Sequence, residues 1–320
     1  MNKLGIAIAA LTVSLALPAT AAELRVGKGN PVAFTFIPVD VCVESGICKK
    51  HGLNVQISSF AGATRVHQGM AADQIDMSLA SGPDMVFVAK GSPVKAVANM
   101  AGPPLIIGLG VRPDGSVKSV ADLKDQTLGV TTLGSLTWWL ARELSKQQGW
   151  GPEGIKTIEL GTDTGIVAAL KTKQIAGTVI GVDMIYNLEE KGEAKLLLNF
   201  GDIVKDFMMH VIYATDKFIA KDPASVKAFL AAWFETIGYM KTHKAETLAT
   251  YKRVSKIPDS IAERTHGSVM PIFTTDGHFI KSQLDALAKS YVELKQLDAE
   301  PDMSKFIDER FLPPRTRSGS

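Results

Sequence analysis

Few features of this composition are extreme, and each missing extreme excludes a class of protein. Only two of the 320 residues are cysteine and 7% are aromatic, so the chain is not a small disulfide-dense scaffold. Glycine (28) and proline (15) stand at ordinary levels, which excludes a collagen-like or low-complexity chain. Lys and Arg total 35 against 33 Asp and Glu, and this balance gives no sign of a nucleic-acid partner. The length is that of roughly two domains.

Motifs that signal catalysis or nucleotide binding are also missing. The six histidines form no H-E-x-x-H pair, and there is no G-x-S-x-G elbow. Gly27-Lys28-Gly29 has no third glycine at position 32, so the dinucleotide fingerprint fails. The loop from Gly129 to Ser135 has the outer spacing of a phosphate loop but lacks its lysine. The sequence therefore predicts a protein without catalytic activity, cofactor or metal.

The N-terminal segment carries the one long apolar run. Leu4–Leu17 follows a basic start, and Ala19 and Ala21 then fit the A-x-A pattern of signal peptidase. The run is short for a bilayer core of about 30 Å, although a membrane anchor remains the alternative interpretation. We expect residues 1–21 to be a signal peptide, cleaved after Ala21 or Ala22, which places the protein in the periplasm.

The two cysteines stand six residues apart, and an oxidising compartment permits a disulfide between Cys42 and Cys48. Gly46 lies between them, where it can end one helix and turn the chain back. A zinc site that adds His51 is the alternative, but the sequence offers no fourth ligand for it. We predict the disulfide.

Short apolar strands alternate with helical segments along the chain, which is typical of an α/β protein with largely parallel sheets. Two stretches match at an offset of 100 residues, through Thr64 and Thr164 and through the pairs Gln74-Ile75 and Gln174-Ile175. Their shared order of loop, helix, strand and loop predicts two similar lobes with a ligand between them. After Pro223 the chain is mostly helical, with one apolar face made of Val226, Phe229, Leu230, Trp233, Ile237 and Met240.

Four predicted strands end in Gly, Ser or Thr residues that are followed at once by the start of a helix. Small residues let a ligand approach the backbone, and the free N–H groups of a helix start favour an anion. The alternative is that these residues only cap the helices. We predict that four loops face one cleft: Ala61–Thr64, Ser81–Pro83, Thr131–Ser135 and Gly161–Thr164.

Three side chains near these loops are candidate ligand contacts, each with a structural alternative. Trp138 lies in the first turn of a helix, where it either covers an organic ligand or packs half-exposed, while its neighbour Trp139 belongs to the core stripe. Arg65 either reaches the cleft or lies on a solvated helix face. His210, in an apolar strand, either contacts the ligand or is a core residue.

Five segments carry a family likeness across nearly the whole mature chain: Cys48–Val55, Asp76–Pro83, Ser119–Lys124, Gly134–Thr137 and Tyr239–Thr247. In this order they resemble periplasmic substrate-binding proteins of the nitrate/sulfonate/taurine class, which deliver solutes to ABC importers. The chain is also similar to binders of thiamine-pyrimidine precursors.

The resemblance implies a type II periplasmic binding protein fold: two lobes, each a mostly parallel sheet flanked by helices, with the ligand in the cleft between them. Residues 22–108 and 213–320 would form lobe 1 and residues 109–212 lobe 2, with the strands Leu105–Val111 and Met208–Tyr213 as the two crossings. By position, the ligand contacts of the family fall on Asn30, Pro31, Gly62, Ala63, Ser81, Gly82, Thr132, Ser135, Thr137 and Asp183.

The function implied is that of the extracytoplasmic solute-binding component of an ABC importer, a monomer whose partners are an inner-membrane permease and its ATPase. Trp138 and the lack of a second basic residue in the loops favour an anionic organic solute, such as a sulfonate or carboxylate, over an inorganic ion. A solute-sensing receptor is one alternative. The other is an enzyme of the thiamine-pyrimidine synthase type, which shares the fold but uses a cysteine-rich motif and a lysine carrying pyridoxal phosphate.

Overall fold

The computed structural model describes residues 21–161 and 163–315, and within them ten strands form two five-stranded sheets. The first sheet contains β1 (Ala22–Lys28), β2 (Leu53–Ser59), β3 (Met77–Ser81), β4 (Val94–Ala101) and β10 (His210–Thr215). The second sheet contains β5 (Ile107–Val111), β6 (Thr127–Val130), β7 (Lys156–Glu159), β8 (Gly177–Gly181) and β9 (Lys195–Asn199).

The two sheets have the same plan. Their strand orders are β2-β1-β3-β10-β4 and β7-β6-β8-β5-β9. In each sheet a single strand, β10 or β5, runs antiparallel to both of its neighbours, and the other observed pairings are parallel. Every residue of β3 and of β10 is buried, as expected for central strands covered on both faces. The predicted α/β class with mostly parallel sheets is confirmed.

Helices cover the sheets, and the longest of them is α9, which begins at Pro223 after its N-cap Asp222 accepts a hydrogen bond from Ser225 N–H. The six residues predicted as the apolar face of this helix are all buried. The helices are α1 (Ile37–Glu44), α2 (Ile47–Lys50), α3 (Ala63–Ala71), α4 (Met85–Ala89), α5 (Leu136–Gln147), α6 (Asp163–Lys171), α7 (Val182–Glu190), α8 (Asp216–Lys221), α9 (Pro223–Thr242), α10 (Lys244–Ser255), α11 (Asp259–Val269) and α12 (Lys281–Glu293).

The predicted repeat corresponds to one structural unit that is present in both halves of the molecule. Helices α3 and α6 begin and end 100 residues apart, and so do the strands β3 and β8. Each helix is followed by a residue with positive φ, Asp73 at +57° and Lys173 at +60°. The amides of Gln74 and Gln174 then donate back to the preceding helix, both at 2.9 Å.

The two strands predicted to cross between the lobes each lie wholly in one sheet. β5 pairs with β8 and β9, and β10 pairs with β3 and β4, so the connections between the sheets are residues 102–106 and 200–209. The predicted crossing segments thus contain the ends of these connections, residues 105–106 and 208–209, while their remaining residues pair within one sheet. Residues 210–212, which the predicted boundary gives to lobe 2, pair in the first sheet. The domain boundaries themselves stay a prediction.

The predicted disulfide between Cys42 and Cys48 is present, with a Cα–Cα distance of 5.2 Å. Gly46 makes the predicted turn between α1 and α2 with φ +78°. The zinc alternative is wrong because the disulfide uses both sulfur atoms, and Nε2 of His51 lies 2.8 Å from a carboxylate oxygen of Glu235 instead.

The N-terminal predictions fall almost entirely outside the described residues, which begin at residue 21. The signal peptide, residues 1–21, and its cleavage therefore stay predictions. Within residues 21–161 and 163–315, no helix has the length and apolar character that crossing a membrane requires.

Candidate functional site

A cavity lies between the two sheets, at the loops that follow β1, β3, β6 and β8. The centres of water molecules can occupy about 90 Å³ of it, which is room for a small organic molecule. Carboxyl ends of parallel strands are where α/β proteins commonly bind ligands. Its apolar walls are formed by Val32, Ala33, Phe34, Phe36, Ile106, Ile107, Leu136, Ile180 and Met184.

Seven of the side chains or glycines predicted as ligand contacts line this cavity. They come from both sheets, as a shared site requires. They are Asn30, Gly62, Ser81, Ser135, Thr137, Asp183 and His210. Their contact with a solute stays a prediction.

Other predicted contacts point elsewhere. Pro31 and Arg65 are exposed and do not line the cavity. Trp138 is half-buried, and the guanidinium of Arg142 lies 4.5 Å from the centre of its ring, so its aromatic face is covered by a cation of the same helix. Trp139 is buried, as the helical stripe predicted.

The remaining predicted contacts shape the loops. Gly62 has φ +106°, and a Cβ there would lie 2.3 Å from the Thr132 side chain, so the absence of a side chain lets these loops meet. A Cβ on Gly82 would lie 2.1 Å from the carbonyl oxygen of Met208. Ala63 is the first residue of α3. Thr132 is buried, yet like Gly82 it does not line the cavity.

Three hydroxyl groups form a cluster at the start of α5. Thr131 Oγ1 lies 3.0 Å from Ser135 Oγ and 2.9 Å from Thr137 Oγ1, and the latter two are 3.1 Å apart. Thr137 Oγ1 also accepts a hydrogen bond from the Thr131 amide at 3.0 Å. Ser135 occupies the N-cap position, but its side chain makes no cap bond. The capping interpretation of Ser135 is therefore not what the structure shows.

Asp84 is a cavity residue that the sequence analysis missed. Its Oδ2 accepts from the Ser81 amide at 2.8 Å, and its Oδ1 accepts from the Ser81 hydroxyl, so the two residues form a capping box. Burial raises the pKa of Asp84 to about 7 against the opposing effect of these bonds. The Ser-x-x-Asp spacing was the signal that could have identified it.

Asp183 is the second carboxyl group in the cavity. It lies in the first turn of α7, where a negative charge is favourable. The hydroxyl of Tyr251 in α10 donates to it. Burial raises the pKa of Asp183 despite this bond.

His210 contributes a neutral imidazole. It is buried, burial lowers its pKa to about 3, and its Nδ1 has no hydrogen-bond partner among the described residues. Phe36 packs against it with ring centroids 4.6 Å apart. No lysine or arginine is among the described residues that line the cavity. Two carboxyl groups, hydroxyls and a neutral histidine therefore give an anionic solute no charged partner.

Contacts across the cavity hold the two halves together. Thr64 Oγ1 donates to the carbonyl oxygen of Leu133 at 3.1 Å beside the Gly62 contact. On the far side, the guanidinium of Arg264 in α11 lies 3.4 Å from the ring centre of Tyr186 in α7. These contacts link loops and helices of the two halves.

A comparison with known protein families identifies the family of this chain. A family model described as NMT1/THI5 like matches residues 33–247, which is more than half of the chain. The chain belongs to the NMT1/THI5-like family. The matched range contains the cavity loops that follow β3, β6 and β8, but it begins after the lining residues Gly29, Asn30 and Val32.

Among NMT1/THI5-type relatives, 4-amino-5-hydroxymethyl-2-methylpyrimidine phosphate synthase of Candida albicans (strain WO-1) is 24% identical over 229 residues. The alignment covers 67% of this chain and 66% of the synthase, so it spans just under two thirds of that relative.

Solved structures match over nearly the whole chain. The alkanesulfonate-binding protein SsuA from Xanthomonas axonopodis pv. citri, bound to MOPS, is 17% identical with a TM-score of 0.76, covering 92% of this chain and 99% of SsuA. The periplasmic nitrate-binding protein NrtA from Synechocystis PCC 6803 is 17% identical with a TM-score of 0.74, covering 92% and 87%. At this identity the likeness shows the fold alone, and it confirms the predicted periplasmic binding protein fold of the NMT1/THI5-like chain.

Proposed function

We propose that this NMT1/THI5-like protein is the periplasmic solute-binding component of an ABC importer. It would bind a small organic solute between its two sheets and present it to an inner-membrane permease with its ATPase. The observation that carries the proposal is the cavity itself, which loops of both sheets enclose, in a fold shared with alkanesulfonate- and nitrate-binding proteins.

Closure follows from how the sheets are connected. Residues 102–106 and 200–209 join them, and the remaining contacts between the halves are side-chain and loop contacts that separation would break without disturbing either sheet. A solute that touches both halves binds the closed state better than the open one, so it shifts the population toward closure. The shift is limited by the difference in its affinity for the two states.

The enzyme alternative finds little support in the cavity. The synthase type of chemistry needs a cysteine-rich motif and a lysine for pyridoxal phosphate, but the described lining residues include neither residue type. Both cysteines are in the disulfide, and buried Lys28 pairs with Asp40 at 2.8 Å. The residues present do not fit such a cofactor, and we propose a binding role without catalysis.

A screen of the mature protein against sulfonates, carboxylates, amines and pyrimidines by thermal shift tests the proposal. A solute at a hundred times its Kd adds about 2.7 kcal/mol to the free energy of unfolding, which raises Tm by about 4 °C in a chain of this size. Calorimetry should then give a one-to-one complex. A protein that no solute stabilises, or that converts its solute to a product, contradicts the proposal.

The sensing alternative concerns the partner. Neighbouring genes for a permease and an ATPase support uptake, whereas a neighbouring sensor kinase supports a receptor.

A further inference from the structure

Each sheet presents one carboxyl group to the cavity, and the two groups occupy related places in the repeat. Asp84 follows β3 and Asp183 follows β8, strands that lie 100 residues apart. We propose that the solute carries N–H donors, from neutral or protonated nitrogen, that bind to Asp84 and Asp183, and that anions are excluded. This inference rests on the proposed function and names its solute class.

The helix starts are the first argument. The N–H groups that follow a strand can bind an anionic ligand, but here the chain supplies the anion itself. The Ser81 amide donates to Asp84, and Asp183 lies in the first turn of α7, where its negative charge faces the helix start. A sulfonate or carboxylate solute would have to displace these internal groups or lie beside a second negative group.

The remaining acceptor capacity is the second argument. A carboxylate offers about four lone-pair positions. Asp84 uses two of these positions to accept hydrogen bonds from the amide and the hydroxyl of Ser81. The residue also lines the cavity. Asp84 is fully buried, so a donor from the solute reaches these remaining positions only where the cavity wall opens onto the carboxylate.

The lining between the two carboxyl groups is the third argument. His210 lines the cavity and is buried and neutral, and its buried Nδ1 lacks a partner among the described residues. The apolar walls around it, which include Phe34 and Ile107, suit an apolar body that carries the N–H groups at its edges. With no lysine or arginine among the described lining residues, nothing in the side chains compensates an anion.

Four probes that share one ring separate the classes: benzamidinium, benzamide, benzoate and benzenesulfonate. We expect calorimetry at pH 8 to show that benzamidinium and benzamide bind at least tenfold more tightly than either anion. An anion that binds as well as benzamidinium overturns the inference but leaves the proposed function standing. If none of the four binds, the tightest-binding solute from the screen decides: an anion without N–H groups overturns the inference, and a neutral or cationic solute with N–H groups supports it. If no solute binds at all, the proposed function fails, and this inference with it.

Variants test the two carboxyl groups directly. Asp84→Asn and Asp183→Asn should each weaken the tightest donor-bearing ligand by tenfold or more and reduce the discrimination against benzenesulfonate. Asp222→Asn is the matched control, because Asp222 also caps its own helix start, at 3.0 Å from the Ser225 amide, but lies outside the cavity. Variants of the cavity that bind and discriminate like Asp222→Asn overturn the inference, provided that thermal melts show all three folded.

The pH dependence is an independent readout of the same wild-type protein. The charged and titratable groups that face Asp84 are Tyr213 from β10 and Tyr291 from α12, and both stay protonated near neutral pH because burial raises their pKa well above the ordinary value. Benzamidinium affinity should therefore rise as pH goes from 6 to 8 and Asp84 ionises around its pKa of about 7. An affinity that falls over this range contradicts the inference.

Discussion

The loops after β3 and β8 are built alike, yet they hold their carboxyl groups in different ways. Asp84 is bonded within its own loop, to the amide and hydroxyl of Ser81. Asp183 also accepts from Tyr251 in α10, a helix that packs on α1 beside the first sheet, whereas α7 packs on the second sheet. The carboxyl group after β3 is therefore bonded within its own half of the molecule, whereas the carboxyl group after β8 is also bonded to a helix of the other half.

The difference separates two tasks. Groups bonded within one half keep their geometry whether the sheets are open or closed. The Asp183–Tyr251 bond joins the two halves, so we expect it to contribute to the equilibrium between the open and closed states. Variants of the two loops should accordingly change different observables, stability for one and closure for the other.

The largest expected effect is on stability, through Asp84. Its folded-state pKa of about 7 lies above the ordinary value of 3.8, so the folded protein binds more protons between these values and the free energy of unfolding falls as pH rises. The loss approaches about 4 kcal/mol above pH 7, at about 1.4 kcal/mol for each pKa unit. About 2.7 kcal/mol of this loss lies between pH 5 and pH 8, and urea denaturation at these two pH values should show it in the wild type but not in Asp84→Asn.

The comparison between the two proteins isolates Asp84. The buried residues His67 and His210, with pKa values lowered by burial to about 4 and about 3, destabilise the fold as pH falls below about 6.5. They do so in both proteins, so their contribution cancels from the difference. Equal pH dependence in the wild type and Asp84→Asn would show that Asp84 is not buried as a raised-pKa group.

The next effect concerns closure at Gly62. A Cβ at this position would lie 2.3 Å from Thr132 and 2.6 Å from its hydroxyl oxygen, across the meeting point of the loops. Gly62→Ala should weaken solute binding by about a hundredfold, roughly 3 kcal/mol, because it obstructs the closed state. Adding Thr132→Ala removes both of these atoms and should restore part of the affinity. If Thr132→Ala restores no affinity, the loss in Gly62→Ala comes from backbone strain at the positive φ of residue 62 and not from the clash with Thr132.

A pair of tyrosines tests the comparison directly. Tyr251→Phe removes the bond to Asp183 and should lower solute affinity about tenfold, since a hydrogen bond to a charged group contributes about 1.5 kcal/mol or more. Tyr213→Phe is the matched control, because Tyr213 donates at 2.7 Å to the carbonyl oxygen of Ser81 within the first half. It should lower Tm and should change affinity less than Tyr251→Phe does. The reverse pattern would contradict the division of tasks.

The smallest effect distinguishes the two serines. Ser81→Ala breaks the capping box and should lower the free energy of unfolding by about 1 kcal/mol. Ser135 makes no cap bond, so Ser135→Ala should cost less stability and should lower solute affinity instead. Denaturation measures the stability of both variants, and calorimetry measures their solute affinity. Equal losses of stability would indicate that Ser135 caps its helix as Ser81 does.

Local sequence signals predicted the loops because a strand that ends in small residues before a helix is a short-range pattern. The repeat at an offset of 100 residues located the paired units β3 and β8. The same kind of signal was present but unused for Arg142, which stands four residues after Trp138 on one helix face and covers its ring. The surroundings of the Trp138 ring could therefore be predicted only by including Arg142.

The site contacts that could not be predicted from the sequence are those between residues far apart in the chain. Tyr251 reaches Asp183 across a sequence separation of 68 residues, and Thr265 of α11 lines the cavity from the same C-terminal helical region. No local pattern indicates either contact. The edge strand β9 was also missed, since its apolar run Leu196–Leu198 is short and only half-buried.

Solution scattering tests the central claim most directly, namely that the two sheets close on a solute held between them. With the tightest-binding solute of the screen at saturation, the wild-type radius of gyration should fall, and that of Gly62→Ala should fall less. Identical wild-type scattering profiles with and without a saturating solute would contradict the account.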